Sequence, residues 1–348
     1  MRQTHPWRTA RGAFTLVELL VVIAILVILL AVTIPTMRTS VKGREIREAA
    51  RQINVIFSRA KSLALVRGRP VGVWIERLTG TPSASLQLFI AETPPSYSGD
   101  TEMARAVMLG QPGVAILEGS AMANVLRIGR GDFIKFDYKG PVYEITEFFP
   151  GGDGRFRFAH PTALPPPSFI KLPYQIFRRP RKSSTAPLQL PGSVVVDLEN
   201  SGFGAKGYDF HPNHPLLPPL DQNNVREIVI TFSPGGKVGY VYYGGDALGQ
   251  NVLRVRPIGS VHLLVGHIDQ LASANPPNPS ELNLADASNL WVSIAGQSGR
   301  ITTSENRGLD QVDLVNVDPT VPIPPLLHGQ LLWRARTFAV QSQSMGGR

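Results

Sequence analysis

Glu18 is the single charged group in residues 14–34, FTLVELLVVIAILVILLAVTI, where 18 of 21 residues are apolar. An ionised carboxylate in so apolar a run costs about 2.5–3.5 kcal/mol on insertion scales, so it is retained for a partner or a function. Two small residues, Gly12 and Ala13, stand immediately before the run. A secretory signal places its small residues after the apolar core, whereas here they come first. A cut beside them removes only residues 1–13, MRQTHPWRTARGA, and leaves the apolar run on the mature chain. A cut there would also leave Glu18 close behind the new terminus.

Other reactive groups are scattered. His211 and His214, in HPNH, have a spacing that metals use, but the neighbouring prolines deny them a helix that would put both rings on one face. Asp153 (in GGDG), Asp209, Asp221 and Asp246 are hard oxygen donors in turn-rich loops, which makes calcium the one cation to consider; no dense acidic run unites them. Residues 233–237, SPGGK, lack the Gly-Lys-Ser/Thr ending of a phosphate loop and read as a hairpin turn. No GxSxG arrangement marks a nucleophile. The expectation is a chain that is not an enzyme and carries no cofactor. Arg178, Arg179, Arg181 and Lys182 form a candidate phosphate-binding cluster; with only Phe177 interleaved, a solvated basic turn is the plainer reading.

The elements that position Glu18 follow from length. At about 1.5 Å per residue, a 21-residue helix reaches about 31 Å, enough for a hydrocarbon core of about 30 Å. Residues 14–34 are expected to cross a membrane. Pro35 removes a helical hydrogen bond at the end of the run, so it either kinks the helix or ends the span.

From Gly12 through the span, the chain resembles the type IV prepilins and pseudopilins, whose signature is a small residue followed by FTLVELL. The resemblance implies cleavage by a prepilin peptidase and N-methylation of Phe14. It also implies filament assembly in which Glu18 neutralises the terminal amine of a neighbouring subunit, as buried charges require. Snorkelling of Glu18 beside the leader arginines is the alternative. The family usually has glycine next to the cleaved bond; here Ala13 holds that place. A cut between Ala13 and Phe14 keeps Glu18 fifth in the mature chain, and a cut after Gly12 makes it sixth. The positive-inside rule does not fix orientation, because Arg38, Lys42, Arg44, Arg47 and Arg51 follow the span. The resemblance implies a single pass through the inner membrane, with a cytoplasmic N-terminus and a periplasmic or extracellular C-terminal part. It implies other pilins or pseudopilins, an inner-membrane assembly platform and the lipid bilayer as partners.

Beyond the span, Ile46, Ala49, Ala50, Ile53, Ile56, Phe57, Ala60, Leu63 and Ala64 recur at helical spacing and predict one apolar face to pack on a sheet. Gly68 and Pro70 supply the stop. Residues 71–76 and 85–91 read as a strand pair. Residues 133–138 and 142–145 read as a hairpin about Lys139-Gly140. Residues 92–124 read as a long irregular insertion, 178–187 as a loop, and 330–341 as a short strand or helix. Residues 190–202, 226–243 and 289–304 recur as strand units, and their order resembles the H-type minor pseudopilins of type II secretion and related FimT-like minor pilins.

The chain has 348 residues, no cysteine, 33 glycines, 30 prolines and a formal charge of +9, or +6 without the leader. Disulfides and thiolate metal sites are excluded. The surplus charge is ordinary solvation before it is nucleic-acid binding. The expected architecture is α+β: leader 1–13, transmembrane helix 14–34, helix continuation 35–68, and an exported antiparallel β domain 69–348 with an insertion at 92–187. Its expected role is a minor pseudopilin or pilin-like structural subunit. The other readings are a pilin-like subunit binding DNA or a surface, and an unassembled membrane-anchored β domain.

Overall fold

The computed structural model describes residues 16–120, 128–149, 153–159, 170–212, 228–244, 252–272, 279–310, 313 and 325–345, at 30–41 and 325 for the backbone alone. Two compact units divide the chain, Met1–Glu45 and Ile46–Arg348. Helix α1 (Leu16–Arg67) has 52 residues, and its backbone is helical through position 35, so the proline does not end it. Among the described residues no helix is long and apolar enough to cross a membrane. The span expected at 14–34 lies partly outside them.

In the second unit the predicted apolar face of α1 is buried: Ile46, Ala49, Ile53, Phe57, Ala60 and Ala64 are inaccessible to solvent. Gly68, at φ +62°, closes the helix in the left-handed conformation that glycine adopts without strain. The chain then enters β1 (Val71–Glu76), β2 (Ala84–Ser85) and β3 (Gln87–Glu92). A run of seven strands follows: β4 (Arg105–Met108), β5 (Val114–Glu118), β6 (Phe133–Phe136), β7 (Val142–Phe148), β8 (Arg155–Phe158), β9 (Lys171–Leu172) and β10 (Tyr174–Phe177). Next come β11 (Arg181–Lys182), β12 (Leu188–Gln189), β13 (Val194–Phe203), β14 (Ile228–Phe232), β15 (Val238–Gly244) and β16 (Val252–Val255). The last strands are β17 (Val261–His267), β18 (Leu290–Ile294) and β19 (Ile301–Glu305), and helices α2 (Pro325–Ala335) and α3 (Thr337–Met345) end the described chain.

Among the described residues the strands form three antiparallel sheets. The first runs β11-β3-β1-β14-β15-β16, with β12 also on β3; the third runs β19-β18-β17-β13-β2. Their inner faces and α1 share one core, in which Val71, Val73 and Ile75 of β1 meet Val261, Leu263 and Val265 of β17 around Phe57. The alternation of β1 sends Trp74 to the opposite face, where it packs with Ala91 and Val229. Lys61 ties the helix to the β18–β19 turn by donating to Ser298 O and Gly299 O at 3.0 and 3.1 Å.

The second sheet, β10-β6-β7-β8-β5-β4-β9, is built wholly from the inserted segment. It has its own core, including Ile134, Ile145, Phe156, Tyr174 and Ile176. This corrects the irregular reading of 92–124, where short strands β4 and β5 pair from Arg105↔Glu118 to Met108↔Ala115. The pairs are four residues long and surrounded by turns, too short to register as a period. The β6–β7 hairpin is present, but its turn is longer than a Lys-Gly pair: Asp137 and Tyr138 both take positive φ.

Two further corrections concern loops and tail. Arg181 and Lys182 are not in a loop but pair with Glu92 and Ala91 as an edge strand. The tail forms two helices instead of one short element, with Leu331, Leu332, Ala335 and Ala339 buried on the outer face of the third sheet.

Candidate functional site

Gly12, Ala13 and Phe14 lie outside the described residues. Glu18 stands in the first turn of α1, where the helix dipole favours a carboxylate. Around it every side chain from Leu16 to Leu29 is exposed, Leu16 by 79% and Ile28 by 64%. A helix apolar on all sides is what a bundle interior or a membrane requires. The sequence feature and the geometry thus agree on an unprotected apolar rod carrying one acid. Of Pro35, only its place within the helix is described.

The basic cluster is dispersed: Arg181 and Lys182 lie in β11, and Arg178 and Arg179 precede it. Lys182 Nζ meets Glu76 Oε1 at 2.5 Å and lies over the rings of Phe89 and Trp74 at 4.6 and 5.3 Å. The Arg179 backbone N–H donates to Asp132 Oδ1 at 2.8 Å, and Arg178 Nη2 donates to Pro95 O at 3.1 Å. At the seam between the first and the inserted sheet Arg179 reaches Asp132 beside β6, whereas Glu76, Phe89 and Trp74 around Lys182 all belong to the first sheet. At the same seam Arg254 lies 3.6 Å from the Tyr240 ring centroid and 4.0 Å from that of Phe133. Burial raises the Asp132 carboxyl against the hydrogen bonds from Gly129 and Arg179, and it raises Glu144 against the charges of Arg179 and Arg254.

Of the acids weighed for calcium, Asp221 and Asp246 lie outside the described residues. Asp153 pairs with Arg155 at 3.2 Å, and Asp209 Oδ2 accepts from the Phe203 backbone at 2.8 Å. Among the described residues no three His, Cys, Asp or Glu side chains gather as a metal site. His214 is outside them; His211 lies edge-on to His328, with ring centroids 6.0 Å apart.

The sequence reading missed a buried polar cluster centred on Asp197. Its Oδ1 accepts from the backbone N–H groups of Glu199 and Asn200, and its Oδ2 from the side-chain amides of Asn200 and Asn283. Burial, then the charge of Glu199, push this carboxyl up to about 7. The register of β13 against β17 shifts between Asp197 and Gly202, a bulge that turns these groups inward. The signal lay in polar residues interrupting an apolar strand, DLENSG after VVV; the distant donor, Asn283, lies 86 residues on.

The described chain is thus an α+β protein with an N-terminal helix followed by antiparallel sheets, and its apolar helix carries Glu18 in the first turn. The model of the prokaryotic N-terminal methylation motif matches residues 8–34. That motif supports the type IV pilin and pseudopilin family. It implies processing by prepilin peptidase and assembly with other pilins. No curated protein matches the chain.

Proposed function

We propose that this chain is a minor pseudopilin or pilin-like structural subunit of a type II secretion or type IV pilus-like machine, nearest in kind to the H-type. It is cut between Ala13 and Phe14, methylated on Phe14, and held by one pass through the inner membrane with its β domain exported. In the filament, Glu18 meets the amine of a neighbouring subunit. The observation that carries this reading is the motif match over residues 8–34 with Glu18 in the first turn of an exposed apolar helix. A solvent-exposed rod of that kind is unfavourable in water and becomes favourable once lipid or other helices surround it, at about 25 cal/mol per Å² removed from water.

Mass spectrometry of the N-terminal peptide from cells with an active prepilin peptidase tests it. Methylated Phe14 is the expected terminus. An intact Met1 in those cells overturns the proposal.

A further inference from the structure

We propose that the α2–α3 helix pair is an acid-released latch, held shut on the outer face of the third sheet by neutral His328 and let go when that imidazole gains a proton. The pair covers Leu264 and Trp291 with Leu331, Leu332, Ala335 and Ala339, and its polar attachments include one residue of the β13 bulge, Asn200, beside the bonds that Gln343 donates to Ser293 O and Thr302 Oγ1. Asn200 Nδ2 donates to Asp197 Oδ2 at 2.9 Å, which fixes the orientation of the amide and turns Oδ1 toward the latch. His328 Nε2 donates to that Oδ1 at 3.0 Å. The backbone oxygen of Asn200 accepts from Arg336 Nη2 at 2.5 Å. Asn200 therefore meets α2 through His328 and the α2–α3 junction through Arg336, while Gln343 ties α3 to β18 and β19.

The site is arranged for a single positive charge. Arg336 is fully buried; Nη1 donates to Gly204 O and Gly207 O, both at 2.8 Å, and the guanidinium lies 4.7 Å from the Trp291 ring centroid. The His328 ring stacks on Tyr208 at 4.6 Å with an interplanar angle of 19°. His211 faces it from the same loop. On the sheet side stands His262, whose Nδ1 is 2.7 Å from Ser293 Oγ. The acids nearby are already engaged: Asp209 Oδ2 by the Phe203 backbone, Asp197 by four N–H groups, and Glu199 Oε2 by the Ala272 backbone. On the latch itself Arg334 pairs with Asp313. A proton on His328 places a second cation beside Arg336 and His211, where a buried unpaired charge is costly.

The sign follows from the shift. Burial, His211 and Arg336 together push His328 down to about 3, against about 6.5 in an unrestrained chain. The closed latch therefore binds the proton less well than the open one. Closure is at full strength above pH 6.5 and weakens by about tenfold per pH unit as pH falls toward 3. Asp197 titrates in the opposite sense, but it lies in β13 and is retained when the latch opens. The latch does not depend on the filament reading.

Hydrogen exchange of the full chain in detergent micelles, corrected for intrinsic exchange, tests this at pH 6.5 and 4.5. The expected result is about a 50-fold rise in the opening of residues 325–345, with β17 and β18 unchanged. His328→Phe, which keeps a ring against Tyr208 but takes no proton, should lose most of the pH dependence; what remains belongs to His262 beneath the latch, which burial and Arg336 also push down. His328→Gln, which keeps a donor for Asn200, serves as a second uncharged variant. Constant protection of α2–α3 across this range, loss in step with β17 and β18, or wild-type pH dependence in both variants overturns the latch.

Discussion

Arg254 of β16 is clamped between the rings of Tyr240 and Phe133, so the edge strand of the first sheet is joined to the inserted sheet through one guanidinium. Stacking of this kind depends on a planar, delocalised cation. Lysine does not reproduce it.

A double-mutant cycle between Arg254→Ala and Phe133→Ala should give a coupling of about 0.5–2 kcal/mol by chemical denaturation. Arg254→Lys should recover less than half of the loss from Arg254→Ala. Additive single effects would mean that the rings and the guanidinium are neighbours without mutual stabilisation.

Phe57→Ala should cost about 3–5 kcal/mol, because Phe57 is fully buried and packs edge-on against Phe232 with centroids 6.3 Å apart. The loss is read as a lower denaturation midpoint with an unchanged slope. A cost under 1 kcal/mol would show that α1 does not pack on the sheets in this register.

Asp197 sets a pH dependence with a definite sign. Its carboxyl is raised to about 7 when folded, so the stability it contributes is fully present below about pH 4 and is lost as pH rises through 7. Asp197→Asn should remove that slope. It should also destabilise by about 1–3 kcal/mol, since an amide nitrogen at Oδ2 faces the donor amides of Asn200 and Asn283. Denaturation from pH 4 to pH 8, carried out in a His328→Phe background to remove the opposing imidazole, gives the comparison. An identical slope with and without Asp197 would refute the assignment.

Glu18→Ala should leave cleavage intact and abolish assembly, read by mass spectrometry of the terminus and by co-purification with other pilins after crosslinking. Normal incorporation of the variant would remove the charge-pairing role and leave Glu18 as an interfacial acid.

The N-terminal segment was legible because its information is local. Small residues, an apolar run and one acid at fixed offset define the processing address without reference to any distant residue, as the match over residues 8–34 attests. The amphipathic half of α1 and the strands at 71–76, 228–232 and 290–294 were legible for the same reason: period and turn chemistry act over a few residues. Tertiary structure alone decided what those elements meet. The inserted segment became a second sheet because strands of two to seven residues gain stability only from partners far along the chain. Arg179 and Lys182 looked like a solvated basic turn, yet Lys182 pairs with Ala91 on the edge of the first sheet and the Arg179 N–H reaches Asp132. Asp197 and Asn200 show locally only as polar residues interrupting an apolar strand, and His328 and Arg336 carry no local signature. Burial and long-range pairing give them their charge states, and neither is written in the residues next to them.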